Sequence, residues 1–169
     1  LLCLQYEIDL WPAHIDGVRN VVADGLSRGL LSSRCSTWSL NWAIMARWRA
    51  RFGGFDVDAF ADPSGSGSQA PEFCSVLKPP FARSFSKQKV WAFPPLDLVD
   101  KFLGSYSEWS ASLIVAVLPI SIVEQRCSPG SARLLHRYGS HYGICERISG
   151  RTPIACPPIG WELGVFVLC

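Results

Sequence analysis

Apolar and polar positions change period several times along the chain. Residues 2–12 alternate loosely and predict a strand ended by Pro12, which gives no ladder donor. Val18, Val21, Val22 and Leu26 recur at helical spacing and predict a helix over 18–27, with Gly29 as its stop signal. Residues 29–37, GLLSSRCST, read as a linker. Trp38, Trp42, Met45, Trp48 and Phe52 form an apolar stripe that predicts a second helix over 38–52, with Thr37 as cap and Gly53-Gly54 as terminator. FDVDAFA, 55–61, alternates with period two and predicts a strand; DPSGSGSQAP, 62–71, predicts a flexible loop. KVWAF, 89–93, predicts a strand stopped by Pro94-Pro95. Leu98, Val99, Phe102 and Leu103 then predict a helix over 96–106. The continuous apolar run 111–118 predicts a strand buried on both faces. Residues 131–138 predict a helix and 161–168 a final strand. From 38 onward the order helix, strand, strand, helix, strand, helix, strand points to a small α/β sandwich with a partly parallel sheet.

Composition narrows the picture. The 169 residues are 49% hydrophobic and 18% charged, with a net charge of +2. That is core enough for a globular domain and too little charge to imply nucleic acid on electrostatics alone. No apolar run reaches the ~18 residues of a membrane span, and the first residues lack a basic signal-peptide start. No membrane partner is therefore expected. Seven unevenly spaced cysteines, with no CxxC pair, predict buried thiols in a reducing, intracellular setting, cytoplasm or nucleus. Cys127, His136, His141 and Cys145 match no zinc spacing. Both ends fall in apolar, strand-like runs, which predicts a piece of a longer polyprotein.

Two segments carry chemistry. In AHIDGVRNVVADGLSRG, 13–29, His14 follows the first strand and Asp24 lies on the helix. This resembles the end of the ribonuclease H domain in gypsy-like and DIRS-like retroelements, roughly H-x-x-G-x-x-N-x-x-A-D-x-L-S-R. Gly17, Asn20, Ala23, Leu26, Ser27 and Arg28 carry the rest of the match. The resemblance implies that Asp24 is the last Mg²⁺-binding carboxylate and His14 the loop histidine of a two-metal nuclease acting on RNA–DNA hybrids.

Residues 38–120 carry a tryptophan-bearing helix, G-x-x-D-V-D-A-F-A, V-W-A-F-P-P-L, a helix and L-I-V-A-V-L-P. This order is similar to the methyltransferase-like segment that follows ribonuclease H in DIRS-like retrotransposons, and to phage-type DNA N6-adenine methyltransferases with D-V-x-A and N-P-P-Y motifs. The implied organisation is a strand–helix remnant of a ribonuclease H fold over 1–29, a linker over 30–37, and a small Rossmann-like, methyltransferase-type sandwich over 38–169. Residues 121–169 contribute no motif. The implied cofactor is S-adenosylmethionine and the implied partner DNA.

Asp56 and Asp58 flank Val57 on one strand and share a face; they read either as a donor-pocket edge or as acidic residues at a sheet end. Phe93, Pro94, Pro95 and Leu96 stand where the adenine-binding motif would be. Phe93 cannot accept the adenine amino hydrogen bond and Leu96 stacks poorly, leaving the Pro94 carbonyl. Fold without adenine methylation is therefore expected; the alternative is an active S-adenosylmethionine-dependent DNA adenine N6-methyltransferase. Arg47, Arg49 and Arg51 beside the tryptophans read either as a nucleic-acid platform or as the solvated face of an amphipathic helix.

One ribonuclease H carboxylate cannot hold two metal ions. The purified chain is expected not to cleave an RNA–DNA hybrid with Mg²⁺; magnesium-dependent release of labelled RNA fragments would contradict this.

Overall fold

The computed structural model describes residues 38–65, 67–75, 77–139, 144–147, 153–154 and 162–169. The chain divides into two units, Leu1–Ser32 and Ser33–Cys169, and every described residue belongs to the second. His14, Asp24 and the elements expected over 2–27 lie outside the described residues.

The second unit is an α/β fold. Its main sheet has six strands: β2 (Val57–Asp58), β3 (Glu72–Phe73), β4 (Lys89–Ala92), β5 (Leu113–Pro119), β6 (Ala132–Tyr138) and β9 (Leu163–Leu168). They lie in the order β3-β2-β4-β5-β9-β6. The first four are mutually parallel, and β9 runs antiparallel between β5 and β6. A smaller antiparallel sheet joins β1 (Trp38–Leu40), β7 (Cys145–Arg147) and β8 (Pro153–Ile154). The helices are α1 (Trp42–Phe52), α2 (Val99–Ser105) and α3 (Ile120–Arg126).

Strict alternation on the central strands assigns each residue to one of two cores. Val90, Ala92, Ile114, Ala116, Leu118, Phe166 and Leu168 face one side, where Val99 and Phe102 of α2 and Ile120 and Val123 of α3 pack on them. Trp91, Val115, Val117, Leu163, Val165 and Val167 face the other, covered by Met45 and Trp48 of α1, Leu40 of β1 and Cys145 of β7. Both faces of the sheet are buried, which is why β5 is continuously apolar. Cys127 packs against the first core and Cys145 belongs to the second, so these two thiols cannot share a metal.

Several expected elements differ. Residues 38–40 are strand, not helix: they pair with β7, and Asn41 caps α1 by accepting the Ala43 N–H at 3.0 Å. Asparagine is among the strongest N-cap residues, and its position shortens the helix by four residues. The C-terminal stop is as expected, with Gly53 left-handed at φ 71°. The strand expected over 55–61 pairs only at Val57–Asp58, because the Asp58 carboxylate turns the chain at Phe60. The helix expected over 131–138 is instead β6, an edge strand with a bulge between Leu134 and His136. The bulge breaks the period-two pattern, and pairing with β9 overrides the helical preference of Ala, Arg and Leu. The short strands β3, β7 and β8 had no expected counterpart.

Phe102 is fully buried and meets Phe60, Trp109 and Tyr106 at ring-centroid distances of 5.7, 5.3 and 6.0 Å. Phe102→Ala is expected to lower stability by about 3–5 kcal/mol, read as a shifted urea midpoint. Leu77→Ala, at an exposed side chain, is expected to change it by less than about 0.5 kcal/mol.

Candidate functional site at the switch between β2 and β4

From β2 the chain runs to β3 on one side; from β4 it runs to β5 on the other. Connections therefore diverge at the carboxyl ends of β2 and β4. In open α/β sheets such a divergence leaves a crevice and is the usual ligand site. Here the crevice is lined by Asp58, Phe60, Ala61 and Asp62 after β2, Trp91 and Phe93 at the end of β4, Gly67 and Gln69 from the 59–71 connection, and Ser39 and Leu40 of β1.

Asp58 sits at the floor, only 4% exposed. Its Oδ1 accepts the Phe60 N–H at 3.1 Å and its Oδ2 accepts the Gln69 N–H at 2.9 Å. Burial outweighs these bonds, and with a smaller push from the nearby Asp62 charge it raises the Asp58 pKa from 3.8 to about 6. Asp62 behaves oppositely. Burial works to raise its pKa, but the Ser64 hydroxyl and the N–H groups of Gly67 and Ser64 donate to its carboxylate and hold it below the ordinary value. Together the two carboxylates organise the Gly/Ser-rich stretch expected to be a flexible loop. Gly65 takes φ 70°, and a Cβ there would collide with the Phe73 ring, so this turn requires glycine.

The motif residues separate in space. Asp56 is exposed and accepts the Lys89 N–H at 2.7 Å, at the start of β4. Asp58 lies at the crevice with half-buried Phe93. Pro94 and Pro95 are buried, and the Pro95 carbonyl accepts the Leu98 N–H at 2.9 Å. Pro95 lines a separate apolar cavity of about 40 Å³ with Phe60, Pro80, Phe81 and Leu98. Leu96 opens a 3₁₀ turn, Leu96–Leu98. Arg47, Arg49 and Arg51 are exposed on α1.

Sequence reasoning missed Asp62, Gln69 and Ser39. Asp62 was recoverable, since Asp before Pro-Ser-Gly is a turn signal whose side chain bonds nearby backbone N–H groups. Ser39 is 5% exposed, and among the described residues its hydroxyl has no hydrogen-bond partner. The crevice encloses about 10 Å³, room for roughly one water. Pockets for drug-sized ligands and cofactors hold about 300–1,000 Å³, so these residues do not fit S-adenosylmethionine in this arrangement. Two open grooves of about 320 and 340 Å³ lie elsewhere, between α3 and β6 and beside the start of β5, and neither contains a residue of the DVDA or FPPL motifs. Among the described residues no three His, Cys, Asp or Glu side chains gather as metal ligands, and no helix is long and apolar enough to cross a membrane.

Comparison with protein-family models, curated proteins and solved structures returned no match to this chain.

A carboxyl group with a raised folded pKa binds more protons folded than unfolded, so its contribution to stability falls as pH rises. For Asp58 the window runs from about 4 to about 6, and the loss is roughly 3 kcal/mol. Asp62 acts below this window with the opposite sign, its stabilisation fading as pH drops through its depressed pKa. In urea titrations the parent chain is expected to lose stability between about pH 4 and 6, and Asp58→Asn is expected to remove that decline. An unchanged pH profile would show that Asp58 is not the titrating group.

Proposed function

We propose that residues 38–169 are a methyltransferase-like module of a retroelement polyprotein, following the end of a ribonuclease H domain, and that this module does not methylate adenine. The observation that carries the reading is convergence: DVDA and FPPL, which the resemblance assigns to one pocket, end two adjacent parallel strands at the divergence of the sheet. A strand order with helices on both faces and a crevice at that point supports a Rossmann-like ancestry.

The loss of chemistry rests on what fills the crevice. An adenine aminomethyltransferase needs an Asp or Asn side chain and a proline carbonyl to accept the adenine amino hydrogens, and an aromatic ring to stack on the flipped base. Phe93 supplies no acceptor. Asp58 is turned onto the chain's own backbone, holding the Phe60 and Gln69 N–H groups. Gly67 and Gln69 stand among the crevice walls, so the connection after β2 occupies the space that a donor would need. The ribonuclease H part, through His14 and Asp24, identifies the origin of the chain. Mg²⁺ belongs to the intact nuclease, whose other carboxylates must come from sequence preceding Leu1.

Isothermal calorimetry with S-adenosylmethionine is expected to give no saturable heat, and labelled methyl groups are expected not to reach unmethylated DNA. Saturable binding with methyl transfer would establish the active enzyme instead. The transcript upstream of Leu1 is expected to encode a reverse transcriptase with paired aspartates, and a neighbouring tyrosine recombinase frame would mark the element as DIRS-like.

A further inference from the structure

The outer face of α1 is built unlike the rest of the surface. Its inner face is Met45 and Trp48, buried in the core, with Ile44 and Phe52 packed against them. At 3.6 residues per turn the outward positions are Trp42, Ala43, Ala46, Arg47, Arg49, Ala50 and Arg51, all exposed. The three alanines form a low floor. Trp42 and Arg49 border it on one side, and Arg47 and Arg51, one turn apart, on the other.

Three features of this face point to a ligand. First, the charge is of one sign: no acidic residue occurs from Thr37 to Phe55. Among the described residues none of the three guanidinium groups makes an ion pair, whereas Arg83, Arg126 and Arg137 elsewhere each have a carboxylate partner. Arg51 is steadied by the Trp48 and Phe52 rings, at 5.4 and 5.9 Å. Second, Trp42 is 63% exposed, although a large aromatic side chain is ordinarily among the most buried. Trp48, by contrast, is consumed by the core, its indole N–H donating to the Tyr138 hydroxyl at 3.1 Å. Third, Trp42 begins the helix two residues after Leu40, a wall of the crevice, so the face starts at the crevice rim.

We infer that this face binds single-stranded nucleic acid, with Arg47, Arg49 and Arg51 on successive phosphates and Trp42 stacked on an unpaired base. Unpaired cations fit a polyanion, and a protruding indole selects one whose bases are free to stack. An anionic membrane is the competing polyanion, but an interfacial helix inserts its apolar face, and that face of α1 is already buried in the core. This inference does not depend on the retroelement reading, because it uses only the helix and its charges.

The test is fluorescence anisotropy of the full chain with labelled oligo-dT and oligo-U across about 50–200 mM salt. With three phosphate contacts the logarithmic salt slope is expected near −2, a loss of roughly 20-fold in affinity over that range. Arg47→Ala with Arg51→Ala is expected to bring the slope to about −0.7. Trp42→Ala is expected to weaken binding at least about 5-fold with the slope unchanged. The triple Arg→Lys variant keeps the charges and is expected to keep the slope, which separates charge loss from misfolding. Arg126→Ala, on α3, is expected to bind like the parent, and phosphatidylserine vesicles are expected not to capture the chain. The inference is overturned by no oligonucleotide binding at about 50 mM salt, by binding that survives removal of all three arginines, or by capture on vesicles in preference to oligonucleotide.

Discussion

A strand buried on both faces has no polar side to turn toward water, and β4 and β5 are such strands. Every other element answers to that constraint. Val90 and Ala92 look to one core and Trp91 to the other, so helices must cover both sides. The helix α2 crosses between the two strands to cover one face, while α1 and the small sheet cover the other. Because β4 and β5 are parallel, their connection has to travel the length of the sheet, and the helix fits in that length.

The same constraint creates the crevice. Once β2 and β4 lie side by side and their connections leave in opposite directions, a gap opens between their carboxyl ends. In this chain the gap is closed by the 59–71 connection, drawn in by two carboxylates. Asp58 carries the cost of that arrangement, being ionisable, buried and bonded to backbone N–H groups.

The charge distribution separates the two candidate surfaces. The crevice is acidic, small and internal; the outer face of α1 is basic, aromatic and open. A small internal crevice beside an open basic helix face is the arrangement on which the proposed strand-holding role rests.

By itself the sequence determined the α/β class, the positions of β4, β5 and β9, and the end of α1 at Gly53-Gly54. Those signals are local: a buried run, a proline stop and a left-handed cap each act within a few residues. Other features depended on partners distant in sequence. Trp38–Leu40 became a strand because Cys145–Arg147 lies beside it, and Ala132–Tyr138 because β9 does. Asp56 and Asp58 look equivalent in sequence, yet one is exposed beside Lys89 and the other buried beneath Gln69, because only Val57–Asp58 enters the sheet. Phe93 and Asp58 could be named as motif residues from sequence. That they share a crevice, that Ser39 and Asp62 join them, and that the crevice holds no more than a water were decided by how the strands stack and where the loop returns.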